Sequence, residues 1–202
     1  MKDGDFYYPP AARILASALV EDPFYAAISS DLEKRSEDRL DCLSSYFEYS
    51  LREGEQIGLS VVPRPEIYGA AIWNMPQPEE IQQRADALKM VALGGVLGER
   101  GFAAYTAILE FMHPRVGLVV PPAAWYLSIL GVDPARQGHG LGAVMLAPTL
   151  ALADRAGVAT YLETFSPRNI RFYERLGFST RAVHHEPVSA ADYWIMVRDP
   201  HG

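Results

Sequence analysis

Cysteine is nearly missing from this chain: Cys42 is the only one in 202 residues. That excludes an intrachain disulfide and a cysteine-based metal cluster, and it suits a reducing, cytoplasmic setting. Long apolar runs are missing too. No stretch of about 18 apolar residues occurs, so no spanning helix and no membrane partner is expected. The start, MKDGDFYYPP, lacks the apolar core of a secretory leader. Positive charge is scarce, with 18 Lys and Arg against 25 Asp and Glu, a net charge of −7. Such a surface repels phosphate backbones, which argues against a nucleic-acid partner and is compatible with a cationic substrate. The adjacent His184 and His185 would point to opposite faces of a strand, so no metal site is expected there. There is no internal repeat. Hydrophobic residues at 49% and charged residues at 21% exclude wholesale disorder. A chain of this length buries roughly 70% of its unfolded surface without staples.

What is present reads first as helical. Pro9 and Pro10 precede Ile14, Leu15, Ala18 and Leu19, which predicts a short amphipathic helix. Ser30 and Glu33 form a capping box; Leu32, Leu40, Leu43, Phe47 and Leu51 then recur at helical spacing up to Gly54, the expected stop. Residues 56–62 and 67–73 read as two strands around Pro63-Arg64-Pro65. Pro78, Glu79 and Glu80 open another helix, with Ile81, Ala85, Leu88 and Val91 as its apolar face and Gly94-Gly95 as its end. Phe102, Tyr105, Leu109 and Met112 suggest a short helix before Pro114, and residues 115–122 read as a loop.

From residue 123 the pattern changes. Trp125 to Val132 is apolar apart from Ser128, as in a strand buried on both faces. Gly140 to Ala156 reads as a helix, apolar almost all round, with Pro148 an expected kink. Thr160–Thr164 reads as a strand, Pro167–Leu176 as a helix, and Phe178–Val183 and Tyr193–Val197 as strands. Strands alternating with helices predict an α/β or α+β domain. A single domain over residues 1–202 is expected, with a helix-rich half (1–120) and a sheet half (123–198).

The densest signal is Val132-Asp133-Pro134-Ala135-Arg136-Gln137-Gly138-His139-Gly140-Leu141-Gly142. It joins the buried strand to the apolar helix. Free N–H groups at a helix start form an anion site, for which pyrophosphate is a natural occupant. A glycine turn that merely packs helix against sheet is the plain alternative. No Lys-Ser/Thr follows, so it is not a Walker loop, and G-x-G-x-G is not a good dinucleotide fingerprint.

With Asn169-Ile170-Arg171-Phe172-Tyr173-Glu174-Arg175-Leu176-Gly177-Phe178 following one strand later, the stretch resembles the two signature segments of the GCN5-related N-acetyltransferase (GNAT) family. Gln137, Gly140 and Gly142 fill Gln-x-x-Gly-x-Gly; Asn169, Tyr173, Gly177 and Phe178 fill Asn-x-x-x-Tyr-x-x-x-Gly-Phe. Residues 123–181 look closest to members that acetylate an aminonucleoside. The resemblance implies a mixed, mostly antiparallel central sheet flanked by helices. It implies acetyl-CoA as cosubstrate, no metal, and direct attack of an amine on the thioester. A small-molecule primary amine is the implied acceptor, with a protein or polyamine as variants, and a monomer or homodimer as the assembly. The rival is a non-catalytic acetyl-CoA-binding sensor.

The resemblance puts the backbone of Leu130, Gly131 and Val132 along the pantetheine arm. It puts the amides of Gln137, Gly138, His139, Gly140, Leu141, Gly142 and Ala143 around the pyrophosphate. His139 either adds charge or is exposed loop filler. Asn169 lies near the cosubstrate or caps its helix. Tyr173 is the implied general acid towards sulfur, since a phenol is protonated at neutral pH; otherwise it is a core aromatic. Glu163 shares a strand face with Tyr161 and serves catalysis or substrate binding, or else pairs with Arg168 or Arg171. His113 is the alternative base, on an expected loop. Trp125 is an acceptor-pocket wall or core packing. Tyr46, Phe47, Tyr49, Tyr105 and Phe111 either form an aromatic pocket or belong to the core.

Overall fold

The computed structural model describes residues 8–32 and 36–201. The expected capping box, through Glu33, reaches outside them. Helix α1 (Pro9–Leu19) starts at proline as the sequence predicts, and α2 (Pro23–Ile28) follows with Asp22 as its N-cap. Ser30–Leu32 is a 3₁₀ turn, and α3 (Ser36–Ile57) buries Leu43, Phe47 and Leu51. It runs past Gly54. A Cβ there would meet Ser60 Oγ at 2.5 Å and Ile72 Cγ2 at 2.7 Å, so the glycine serves close packing rather than termination.

Strands β1 (Gly58–Val61) and β2 (Gly69–Asn74) form a hairpin. Helix α4 (Glu79–Val119) corrects three expectations. It passes through Gly94-Gly95 and breaks at Gly98, where the backbone turns to φ 67°. Leu93 and Leu97, both buried, hold the glycine pair in helical form. It also passes Pro114, so residues 115–119 are helical rather than loop; Glu110 and Pro114 are exposed, and water can satisfy the carbonyl that proline leaves. The expected apolar face is mostly wrong: Ile81, Leu88 and Val91 are exposed, Val91 at 79%. The inward row is Ala85, Lys89, Leu93 and Leu97, and a lysine stands in it because it meets buried Glu53.

The rest follows the expected order: β3 (Trp125–Val132), α5 (Leu141–Ala156), β4 (Thr160–Thr164), α6 (Pro167–Glu174), β5 (Ser179–Glu186) and β6 (Ala191–Arg198). Helix α5 continues through Pro148, which is exposed and so leaves its orphan carbonyl to solvent. The six strands form one sheet in the order β1-β2-β3-β4-β6-β5, antiparallel except for β3 with β4. This is the mixed α/β architecture expected. One core, including Leu15, Phe47, Ile108 and Tyr193, lies on the side of α1 to α4. The other, including Trp73, Leu127, Leu146 and Tyr173, lies under α5 and α6. No helix among the described residues is long and apolar enough to cross a membrane.

Two irregularities of β3 position the site. Ile72 pairs with Ile129 but Trp73 pairs with Leu127, so Ser128 is an extra residue, its Oγ donating to Ile72 O at 3.2 Å. This bulge reverses the alternation of the strand. Trp125, Leu127, Leu130 and Val132 pack on the α5 side, whereas Ile129 joins the opposite core. The strand is thus covered on both faces, as its apolar run suggests, although alternate residues are only half-buried. The second irregularity is that β3 and β4 pair only over Trp125–Leu127 with Thr160–Leu162. Beyond that the strands part, and their unpaired ends open a wedge.

Candidate active site

A cavity of about 800 Å³ opens from this wedge towards α2, α3 and α4. Its wall brings together Leu130, Glu163, Asn169, Tyr173 and His113, five of the residues singled out from sequence. Glu163 is the first residue of β4 beyond the pairing to β3. Its Oε2 accepts a hydrogen bond from Tyr126 OH at 3.2 Å, and its Oε1 is buried with no partner. Burial pushes the carboxyl up to about 7, with the Tyr126 bond pulling the other way. The partner is therefore a tyrosine, not Arg168 or Arg171. Tyr126 is held in turn by stacking on Tyr161, with ring centroids 4.6 Å apart.

Tyr173 is 7% exposed and packs edge-to-face against Phe172 and Phe178. Burial, with Asp22 adding to it, holds its phenol protonated well above the ordinary tyrosine range. It is both a core aromatic and a cavity-wall donor. Asn169 is the third residue of α6, and Ser166 is the N-cap, so Asn169 is not the cap. His113 is exposed and sits on α4 rather than on a loop.

The strand-to-helix loop is shaped by its own polar groups. Asp133 accepts from the Ala135 N–H at 2.9 Å, and Gln137 Nε2 donates to Val132 O at 3.0 Å. His139 Nδ1 donates to Gln137 O at 2.9 Å, turning the ring onto its own loop. Arg136 pairs with Glu66. Gly138 and Gly140 have φ of 81° and 76°, the left-handed region that disfavours side chains, while space around both is open. Gly142 lies against the Phe172 ring, where a Cβ would come to 3.2 Å. No side chain caps α5. The N–H groups of Leu141, Gly142 and Ala143 thus start a helix without intrahelical acceptors, an arrangement whose chemistry suits an anion. Leu130, Gly131 and Val132 lie on the part of β3 that β4 leaves unpaired.

Trp125 is not in the cavity wall. It precedes the bulge and packs with the α5-side core, and its neighbour Tyr126 takes the wall. Of the five expected pocket aromatics, Tyr46 and Tyr105 line the cavity; Phe47 is fully buried core, and Tyr49 and Phe111 pack against that core. Sequence reasoning missed Tyr126, Asp22 and the buried Glu53–Lys89 pair, 2.8 Å apart. Asp22 accepts from the Phe24 N–H at 3.0 Å, and burial pushes its carboxyl up to about 6 against that bond. Its signal, Asp before Pro23, is an ordinary helix cap. The signal for Lys89 is a charge in an apolar helical row.

Comparison with known proteins bears on the fold and the family. Over 77 residues the chain is 39% identical to a mycothiol acetyltransferase of Salinispora arenicola, covering 36% of this chain and 24% of that protein. The chain thus spans about a quarter of the length of the curated relatives it matches. Two solved structures share the fold: a histone-acetyltransferase-related protein of Corynebacterium glutamicum, and an agmatine N-acetyltransferase. The first has TM-score 0.66 and 21% identity over 100% of this chain and 96% of that one. The second has TM-score 0.61 and 16% identity over 98% of both. The model of the acetyltransferase (GNAT) family matches residues 63–178, more than half of the chain. By its sequence blocks, sheet and matched residues, the chain belongs to the GNAT family of acetyltransferases.

Proposed function

We propose that the protein is an N-acetyltransferase that moves the acetyl group of acetyl-CoA to a primary amine of a small molecule, both substrates being bound together. The observation that carries this reading is Glu163. It is half-buried, with one carboxylate oxygen fully buried and unpartnered and its pKa pushed up to about 7, in the wedge whose wall also holds Tyr173. A binding module has no use for such a group, whereas a general base is most effective near the working pH.

The residues fit the cosubstrate. The uncapped start of α5 suits the pyrophosphate, and the edge of β3 at Leu130, Gly131 and Val132 that β4 leaves open suits the amides of the pantetheine arm. The chemistry acetyl-CoA supplies is an activated acyl carbon with a thiol leaving group. Glu163 takes one proton from the bound ammonium, directly or through water, and the freed amine then attacks the acyl carbon as the C–N bond forms. Tyr173 gives one proton to the sulfur as the C–S bond breaks; the nitrogen loses its second proton to solvent, from which the phenol is restored. Tyr126 keeps Glu163 oriented. Thiol release from acetyl-CoA against a panel of amines, puromycin included, tests the reading. Amine-dependent release is expected; acetyl-CoA binding without release by any amine would leave a sensor.

A further inference from the structure

We infer that the acceptor carries a second cationic centre besides the amine that is acetylated, as in a diamine. The inference rests on the acetyltransferase reading above. Five carboxylates line the cavity, Asp22, Glu53, Asp86, Glu110 and Glu163, against one ammonium, Lys89, and no arginine. Lys89 is already committed: it contacts Glu53 at 2.8 Å, and the Glu53 side chain is 5% exposed. The other four form no ion pair among the described residues. Asp22 is tied only to a backbone N–H, and Asp86 accepts from the side-chain amide of Gln82 at 2.9 Å.

These carboxylates do not converge. Among the described residues no three acidic, histidine or cysteine groups stand close enough to hold a metal ion. They divide by place. Glu163 and Asp22 belong to the Tyr173 end, where Asp22 bears electrostatically on Tyr173 and Tyr25. Asp86 and Glu110 stand on α4, on either side of its break at Gly98, and Asp86 bears on Tyr49 and Tyr105. The occupant must also donate hydrogen bonds. The two buried side-chain atoms of the cavity wall that lack a partner are both acceptors, Glu163 Oε1 and Asn74 Oδ1. One cation satisfies the Glu163 end and leaves the α4 carboxylates facing an occupied, less hydrated cavity. A molecule with ammonium groups at both ends satisfies both sets. Tyr46 and Tyr105 in the wall offer ring surface to its methylenes and to a cation. A neutral or anionic acceptor answers none of these features.

The test uses the full chain with saturating acetyl-CoA. Thiol release gives kcat/KM for n-butylamine and for unbranched α,ω-diamines of three to six carbons, at low and high salt. At least one diamine is expected to exceed the monoamine by about tenfold or more, with the advantage shrinking in high salt. In the double variant Asp86→Asn, Glu110→Gln, kcat/KM is expected to fall at least about fivefold more for that diamine than for n-butylamine. Both positions are exposed, so an unchanged melting temperature accompanies the loss. Equal kcat/KM for monoamine and diamines overturns the inference and leaves the acetyltransferase reading standing. Acetyl-CoA binding with no amine acetylated overturns both.

Discussion

The two sides of the cavity are built on different principles. The β3–α5–β4–α6 side presents backbone: unpaired strand groups, a loop with two positive-φ glycines, and an uncapped helix start. The α2–α3–α4 side presents side chains: Asp22, Tyr46, Glu53, Asp86, Lys89, Tyr105. Backbone recognition demands particular residues at fixed spacing, because few sequences make such a loop. Side-chain recognition demands only that a carboxylate or a ring reach the cavity from somewhere on a helix. The first side is therefore written in one contiguous stretch, and the second is scattered from residue 22 to residue 116. On the function proposed above, the general chemistry falls to the first side and acceptor choice to the second.

If the division is right, substitutions should separate along it. The largest effect is expected at the seam. Glu163→Gln should lower kcat/KM for an alkylamine by roughly 10²- to 10⁴-fold near pH 7.5, and far less for an arylamine that is already neutral. Equal losses for the two amines would remove Glu163 from proton transfer. Next is Tyr173→Phe, with kcat down roughly 10- to 1,000-fold and KM for acetyl-CoA little changed. A raised KM with unchanged kcat would make the phenol a packing group alone.

On the backbone side, Gly140→Asp sets a carboxylate at the uncapped start of α5, the proposed pyrophosphate site. Calorimetry should show acetyl-CoA affinity lower by at least about tenfold, or about 1.4 kcal/mol. Folding should survive, because Asp is among the side chains that visit the left-handed region. Unchanged affinity would contradict the pyrophosphate assignment. The smallest effect is on stability. The folded-state pKa of Glu163, about 7, lies above its ordinary 4.5. Its protonated form therefore favours folding fully below about pH 4.5, and that contribution is lost as pH rises through 7. Without ligands, Glu163→Gln should raise the melting temperature by a few degrees at pH 8 and by little at pH 4.5. A lowered melting temperature at both pH values would make Glu163 a structural residue.

The same division explains what was legible. The order from β3 to β6, the glycine loop, and the positions of Tyr173, Glu163 and Asn169 could be read directly, since local periodicity and motif spacing determine them. The bulge at Ser128 could not: in a run otherwise apolar, one serine does not reveal that the faces exchange, so the sequence left Trp125 between pocket wall and core, and it is Tyr126 that takes the wall. In α4 the inward row contains Lys89, which breaks the apolar pattern for want of knowing that Glu53 lies opposite. The row of Ile81, Leu88 and Val91 looked better and faces solvent. Gly54 and Gly94-Gly95 read as stops, yet one serves packing and the others are held by buried leucines on either side. Each miss depends on a contact between segments distant in sequence.

Glu163 as proton acceptor is the central claim, and the pH dependence of kcat/KM for an alkylamine with pKa about 10 tests it most directly. If the ammonium binds and Glu163 takes its proton, kcat/KM in total amine rises about tenfold per pH unit to near 7 and is then level to pH 9. Glu163→Gln abolishes the break. A wild-type profile that climbs without a break to pH 9 would mean that only pre-formed free amine reacts, and would contradict the account.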